Sequence, residues 1–293
     1  MTPMIVLLAM ACTGPAAGYG DLRANATTAA LTGGISDTDI AEHVTALKAD
    51  LPDGFHVVAQ SPFAVIGNES DARVRQRAER TVKWASEALQ DAYFDEELDE
   101  IWDIWLFGDA DSYQHYAWKL FGDRPDTPYG YASSEHNALI MNISTGGGTL
   151  VHEIVHPYMD HNFSEVPSWF NEGLASLYEA SANDNGVIVG LPNWRLDGLQ
   201  AAIAADAVPS FEALMSTSTH QFYNRDPGTH YAQARYLCHY LQDHGKLRQF
   251  YRAFAANHET DPTGIDTLKN VLGTRDLEAF KVEWQDWVMN LRR

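Results

Sequence analysis

The chain is short of cysteine, of long apolar runs and of positive charge, and each shortage excludes a class of protein. Two cysteines in 293 residues, Cys12 and Cys238, rule out a scaffold stapled by disulfides. The apolar run from Ile5 to Ala11 is too short to cross a bilayer as a helix. Lys and Arg number 20 against 40 Asp and Glu, giving a formal charge of −20. They form no cluster, which excludes a nucleic-acid partner, because a phosphate backbone is bound by grouped basic residues. What is present is apolar material: 45% hydrophobic and 11% aromatic residues suffice for one large domain or two lobes sharing a cleft. A charged fraction of 20% is too low for a chain disordered throughout.

The amino terminus differs from the rest. In residues 1–18 the apolar run is followed by small residues and a Gly14-Pro15 break, the pattern of an export signal. Cys12, after Leu-Ala-Met-Ala, resembles a bacterial lipoprotein processing site, so a lipid anchor there and a place in the cell envelope or outside it are expected. Residues 19–39, rich in Ala, Thr, Gly and Asp, read as a linker, and the folded domain spans 40–293. Short β-type runs occupy Phe55 to Ala59 and Phe63 to Ile66, and a helical stripe of Val74, Ala78, Val82, Ala85 and Leu89 follows. Ile101 to Phe107 reads as a buried strand, Ser112 to Phe121 as a short helix, and Tyr129 to Asn142 as a strand pair. After Gly146-Gly147-Gly148 nearly everything reads helical, with loops at 181–194 and 216–229. The expected class is α+β, a strand-bearing lobe over 40–148 and a helical lobe over 149–293.

Residues 152–156 read His-Glu-Ile-Val-His. On a helix, positions four apart lie on one face, so His152 and His156 can reach one Zn²⁺, with Glu153 beside them as a proton acceptor. Thr149 is the expected N-cap. Pro157, which removes a helix hydrogen bond and crowds the carbonyl of Glu153, is expected to kink or end the helix. Such a five-residue pattern arises by chance in roughly 3% of chains of this composition, so a second signal has to decide. That signal is Ser168-Trp169-Phe170-Asn171-Glu172-Gly173-Leu174-Ala175, where Pro167 marks a helix start and Glu172 supplies a third ligand.

Together the two segments resemble the gluzincin clan of zinc metallopeptidases, which includes thermolysin and the aminopeptidase N family. Within it they are similar to the bacterial peptidase-MA-like group. Tyr231-Ala232-Gln233-Ala234, leading to Leu237 and Tyr240, is similar to that group's helix after the glutamate. The likeness covers roughly residues 130–260 and departs in its shorter gap between His156 and Glu172. It implies a thermolysin-like fold with one zinc per chain held by His152, His156 and Glu172. It also implies hydrolysis of a peptide or protein substrate with Glu153 as general base. The Gly-x-Met-Glu-Asn segment of aminopeptidase N relatives is missing, which points to an endopeptidase. A zinc-binding assembly protein and a hydrolase of non-peptide amides are the rival readings.

The oxyanion formed on attack needs a further donor, and Tyr231 is the expected one, with His230 as runner-up. Thr229 is read as the cap of the helix carrying both. Ala138 to Ile143 is expected to form a cleft-edge strand that pairs with extended substrate. His161 reads as a loop residue, Cys238 as a buried hydrophobe, and Trp102, Trp105, Trp118 and Trp194 as core.

Overall fold

In a computed structural model, residues 34–293 are described; the stretch expected to be an export signal, Cys12 and most of the expected linker lie outside them. The described residues divide into two compact units, one of 34–90 with Glu96–His161, the other of Asp91–Asp95 with Asn162–Arg293. The class is α+β. Among the described residues no helix is long and apolar enough to cross a membrane.

The first unit is a five-stranded sheet with helices on both faces. Its strands are β1 (His56–Gln60), β2 (Phe63–Gly67), β3 (Trp102–Phe107), β4 (Gly130–Ser133) and β5 (Ala138–Asn142), in the order β1-β2-β3-β5-β4. β2, β3 and β5 run parallel, and the two end strands are antiparallel to their neighbours. A strand covered on both faces has no polar side to show, which is why β2, β3 and β5 are almost wholly apolar and buried throughout. Ala64, Ile66, Trp105, Phe107, Ala138 and Ile140 form one core with helix α1 (Asp37–Asp50) and α4 (Ala110–Tyr116). Asp103, on that same face of β3, is fully buried and accepts a 2.7 Å hydrogen bond from His43 of α1. On the opposite face Phe63 meets Tyr158 edge-on at 6.2 Å, and Tyr158 bonds Ser86. Those two residues sit on α5 (Gly147–Asn162) and on α3 (Lys83–Tyr93), which continues α2 (Asp71–Arg77) through a π turn at Ala78–Val82.

Several expectations require correction. Ala138–Asn142 is a strand, but it lies between β3 and β4. Its backbone groups are spent on both neighbours, so pairing with an extended substrate is ruled out; the terminal strand is β4. Pro157 neither ends nor breaks α5, which runs on to Asn162, and His161 is therefore helical rather than in a loop. Gly146 turns the chain at φ 119°, a conformation glycine tolerates, and the helix starts at Gly147, so Thr149 lies in its first turn and is not the cap.

The second unit is helical apart from one hairpin. It holds α6 (Ser168–Leu177), β6 (Ser181–Asp184), β7 (Val187–Gly190), α7 (Arg195–Ala204), α8 (Phe211–Met215) and α9 (Thr219–Asn224). It continues with α10 (Pro227–Asp243), α11 (Leu247–Asn257), α12 (Ile265–Leu272) and α13 (Leu277–Asn290). The hairpin and α9 fall in stretches read from the sequence as loops. Asn185-Gly186, both at positive φ, makes the tight turn between β6 and β7. α6 and α10 pack closely: a Cβ on Gly173 would stand 3.0 Å from the backbone oxygen of Ala234. Buried Arg235 donates to the carbonyls of Ser176 and Leu177, left open where α6 ends, and to that of Leu191 just after β7.

Candidate metal centre

α5 is buried along one continuous stretch from Leu150 to Met159. Its apolar members Leu150, Val151, Ile154 and Val155 are all buried in the core, and that packing holds the helix rigid. Three polar residues share this burial: His152 is 3% exposed, Glu153 1% and His156 7%. The two imidazoles meet with ring centroids 5.1 Å apart at 74°, as the four-residue spacing requires. Oε2 of Glu153 lies 3.9 Å from Nε2 of His156, longer than a hydrogen bond. One ligand atom from each of the three falls within 4.8 Å of the other two.

Burying a carboxylate at 1% exposure is costly unless positive charge or donors meet it. Two imidazoles and a carboxylate gathered this closely have the donor chemistry of a divalent transition-metal site, and neutral imidazole with carboxylate suits Zn²⁺. These three residues could hold a metal ion.

Glu172 lies in the other unit, on α6, and is 2% exposed. The Tyr223 hydroxyl donates to its Oε1 at 2.6 Å. Pro167 is the N-cap of α6, as its place in the sequence suggests. Tyr231, 1% exposed on α10, stands beside the same carboxylate. Burial first, and then the charge of Glu172, hold its phenol well above the ordinary tyrosine range, so it stays protonated and can donate a hydrogen bond. The Arg195 guanidinium lies 5.0 Å from the Tyr231 ring and 4.2 Å from that of Trp194, and it binds Glu179 through two nitrogens at 2.8 and 3.2 Å. His230, the alternative donor, stacks on Phe222 at 5.6 Å, and its Nδ1 is 3.0 Å from the Phe222 carbonyl. The cap of α10 is Asp226 rather than Thr229, whose amide it accepts.

The structure thus gathers His152, Glu153 and His156 in one unit and Glu172, Tyr231 and His230 in the other. Tyr223 is the residue the sequence reading missed. It lies on α9, inside a stretch taken as a loop, although Ser218-x-x-Gln221 is a capping box and announces a helix there. Trp118 and Trp194 are 53% and 45% exposed, contrary to the core expectation, while Trp102 and Trp105 are buried. Both exposed rings carry an arginine over one face, Arg124 and Arg195. Cys238 is buried and free, and burial pushes its thiol up, which suits a packing role.

Comparison with models of known protein families and with curated proteins gives no match.

Proposed function

We propose that this chain is a zinc-dependent peptidase of gluzincin type, with His152, His156 and Glu172 holding one Zn²⁺ and Glu153 acting as general base. The observation that carries the reading is the buried His152–Glu153–His156 group on a single rigid helix. Glu172 is added by its place in the Asn-Glu-Gly-Leu-Ala segment and by the resemblance that segment carries. When bound, the cation supplies Lewis acidity, which polarises a substrate carbonyl and makes a nearby water easier to deprotonate.

The rest is the work of side chains. Glu153 accepts the proton of the attacking water and passes it to the departing amine. The neutral phenol of Tyr231 donates to the oxyanion without carrying charge of its own. Glu153 and both imidazoles are carried buried on one helix, which limits the reorganisation the reaction would need.

The test is hydrolysis of a peptide library by purified protein with and without a chelator. Cleavage abolished by chelation, restored by Zn²⁺ and missing in Glu153→Gln supports the reading. Cleavage indifferent to chelation, or no cleavage of any peptide by zinc-loaded protein, rejects it.

A further inference from the structure

We propose that Tyr223 is a positioning residue for the metal centre: by donating its phenolic proton to Oε1 of Glu172 it fixes the rotation of that carboxylate for ligation. The inference rests on Glu172 being a ligand, as proposed above.

The hydrogen bond is 2.6 Å long, in the range of an O–H donor on an ionised acceptor, and the carboxylate it serves is 2% exposed. A carboxylate can turn about its last torsion, and a ligand that turns must be ordered when the ion arrives. One oxygen committed to a fixed donor removes that freedom beforehand, which is why groups behind metal ligands affect affinity.

The donor itself is well anchored. α9 is only six residues long, but Ser218 and Gln221 cap it reciprocally. Ser168, the first residue of α6, donates to the Thr219 hydroxyl at 3.0 Å, tying α9 to the helix that carries Glu172. On the other side Phe222 is fully buried, with its ring 5.1 Å from that of Tyr231 on α10. Tyr223 is therefore held between the element bearing its acceptor and the element bearing the proposed oxyanion donor. Its role differs from that proposed for Tyr231, which would donate to the oxyanion, whereas Tyr223 acts through Glu172.

The test measures Zn²⁺ affinity by chelator competition in four full-length proteins: wild type, Tyr223→Phe, Glu172→Gln and the double variant. Tyr223→Phe is expected to bind zinc about 10- to 100-fold more weakly, the usual effect of removing such a partner. In the Glu172→Gln background the same change is expected to have no further effect, because the group it positions is already lost. The absorption spectrum of the Co²⁺-loaded protein is expected to differ between wild type and Tyr223→Phe, reporting a changed ligand arrangement. Unchanged zinc affinity in Tyr223→Phe, while wild type binds tightly, overturns the positioning role and leaves the peptidase reading standing. An equal loss in the Glu172→Gln background overturns it as well, since Tyr223 then acts through something else. Wild-type protein that takes up no zinc removes both readings together.

Discussion

Glu153 and Gln differ by one oxygen and a charge, so Glu153→Gln keeps the volume of a side chain buried in α5 while removing the proton acceptor. The expected outcome is an unchanged fold, zinc still bound at about one ion per chain, and turnover lower by roughly 10²- to 10⁴-fold. Elemental analysis and a peptide-cleavage assay read the two sides, and activity near wild type means that another group takes the proton. His156→Ala is the complementary change: it removes a ligand and should empty the site, so unchanged zinc content excludes His156 from the ligand set. The two tyrosines beside Glu172 separate in the same way. Tyr231→Phe should lower kcat by roughly 10²-fold with zinc content intact, the usual loss for one oxyanion donor. If Tyr231→Phe turns over normally and His230→Ala does not, the donor is the imidazole whose Nδ1 already faces the Phe222 carbonyl.

At the scale of elements, the glycine after Glu172 matters for packing. A Cβ at Gly173 would meet the backbone oxygen and carbon of Ala234 at 3.0 and 3.1 Å, and backbone cannot step aside as a flexible side chain can. Gly173→Ala should force α6 away from α10 and cost about 1–3 kcal/mol of stability, as overpacking does. It should also weaken zinc binding, because Glu172 moves with α6. A Gly173→Ala protein that melts like wild type would show that the two helices separate at little cost. This contact also marks where the sequence stops being legible. Periodicity and cap residues announce α6, and the apolar runs announce β2, β3 and β5. The four-residue histidine spacing likewise places His152 and His156 on one face, with Glu153 beside them. None of these local signals says which strand ends up inside the sheet, since Ala138–Asn142 has the same composition whether it is paired on one side or two. Nor do they say whether Pro157 breaks its helix. The ten buried residues of α5 straddling that proline contribute more packing than one missing hydrogen bond removes, and the helix continues. Tyr223 escaped for a related reason: its proposed role depends on a partner 51 positions away, and no window along the chain contains both.

Across the whole molecule acidic residues outnumber Lys and Arg by 40 to 20. Its stability should depend on pH through one buried histidine outside the candidate centre. His239, on α10, is 3% exposed, lies edge-on to Trp287 at 5.4 Å and has Nε2 at 3.5 Å from the Asp243 carboxylate. Burial, with the positive charge of Arg235 added to it, pushes its pKa down from 6.5 to about 4, and the half-exposed carboxylate of Asp243 does not reverse this. Between those two values the unfolded chain binds a proton that the folded one refuses, so stability is full above about pH 6.5 and falls as the pH drops towards 4. A difference of that size corresponds to about 3 kcal/mol across the window. His239→Gln removes the titrating group at similar volume. Thermal melts of both proteins at a series of pH values should show the wild type losing stability between pH 6.5 and 4 by about that much more than the variant. Parallel profiles for the two proteins would mean that His239 takes up its proton without leaving the fold, and that the acid sensitivity of the chain lies in its carboxylates.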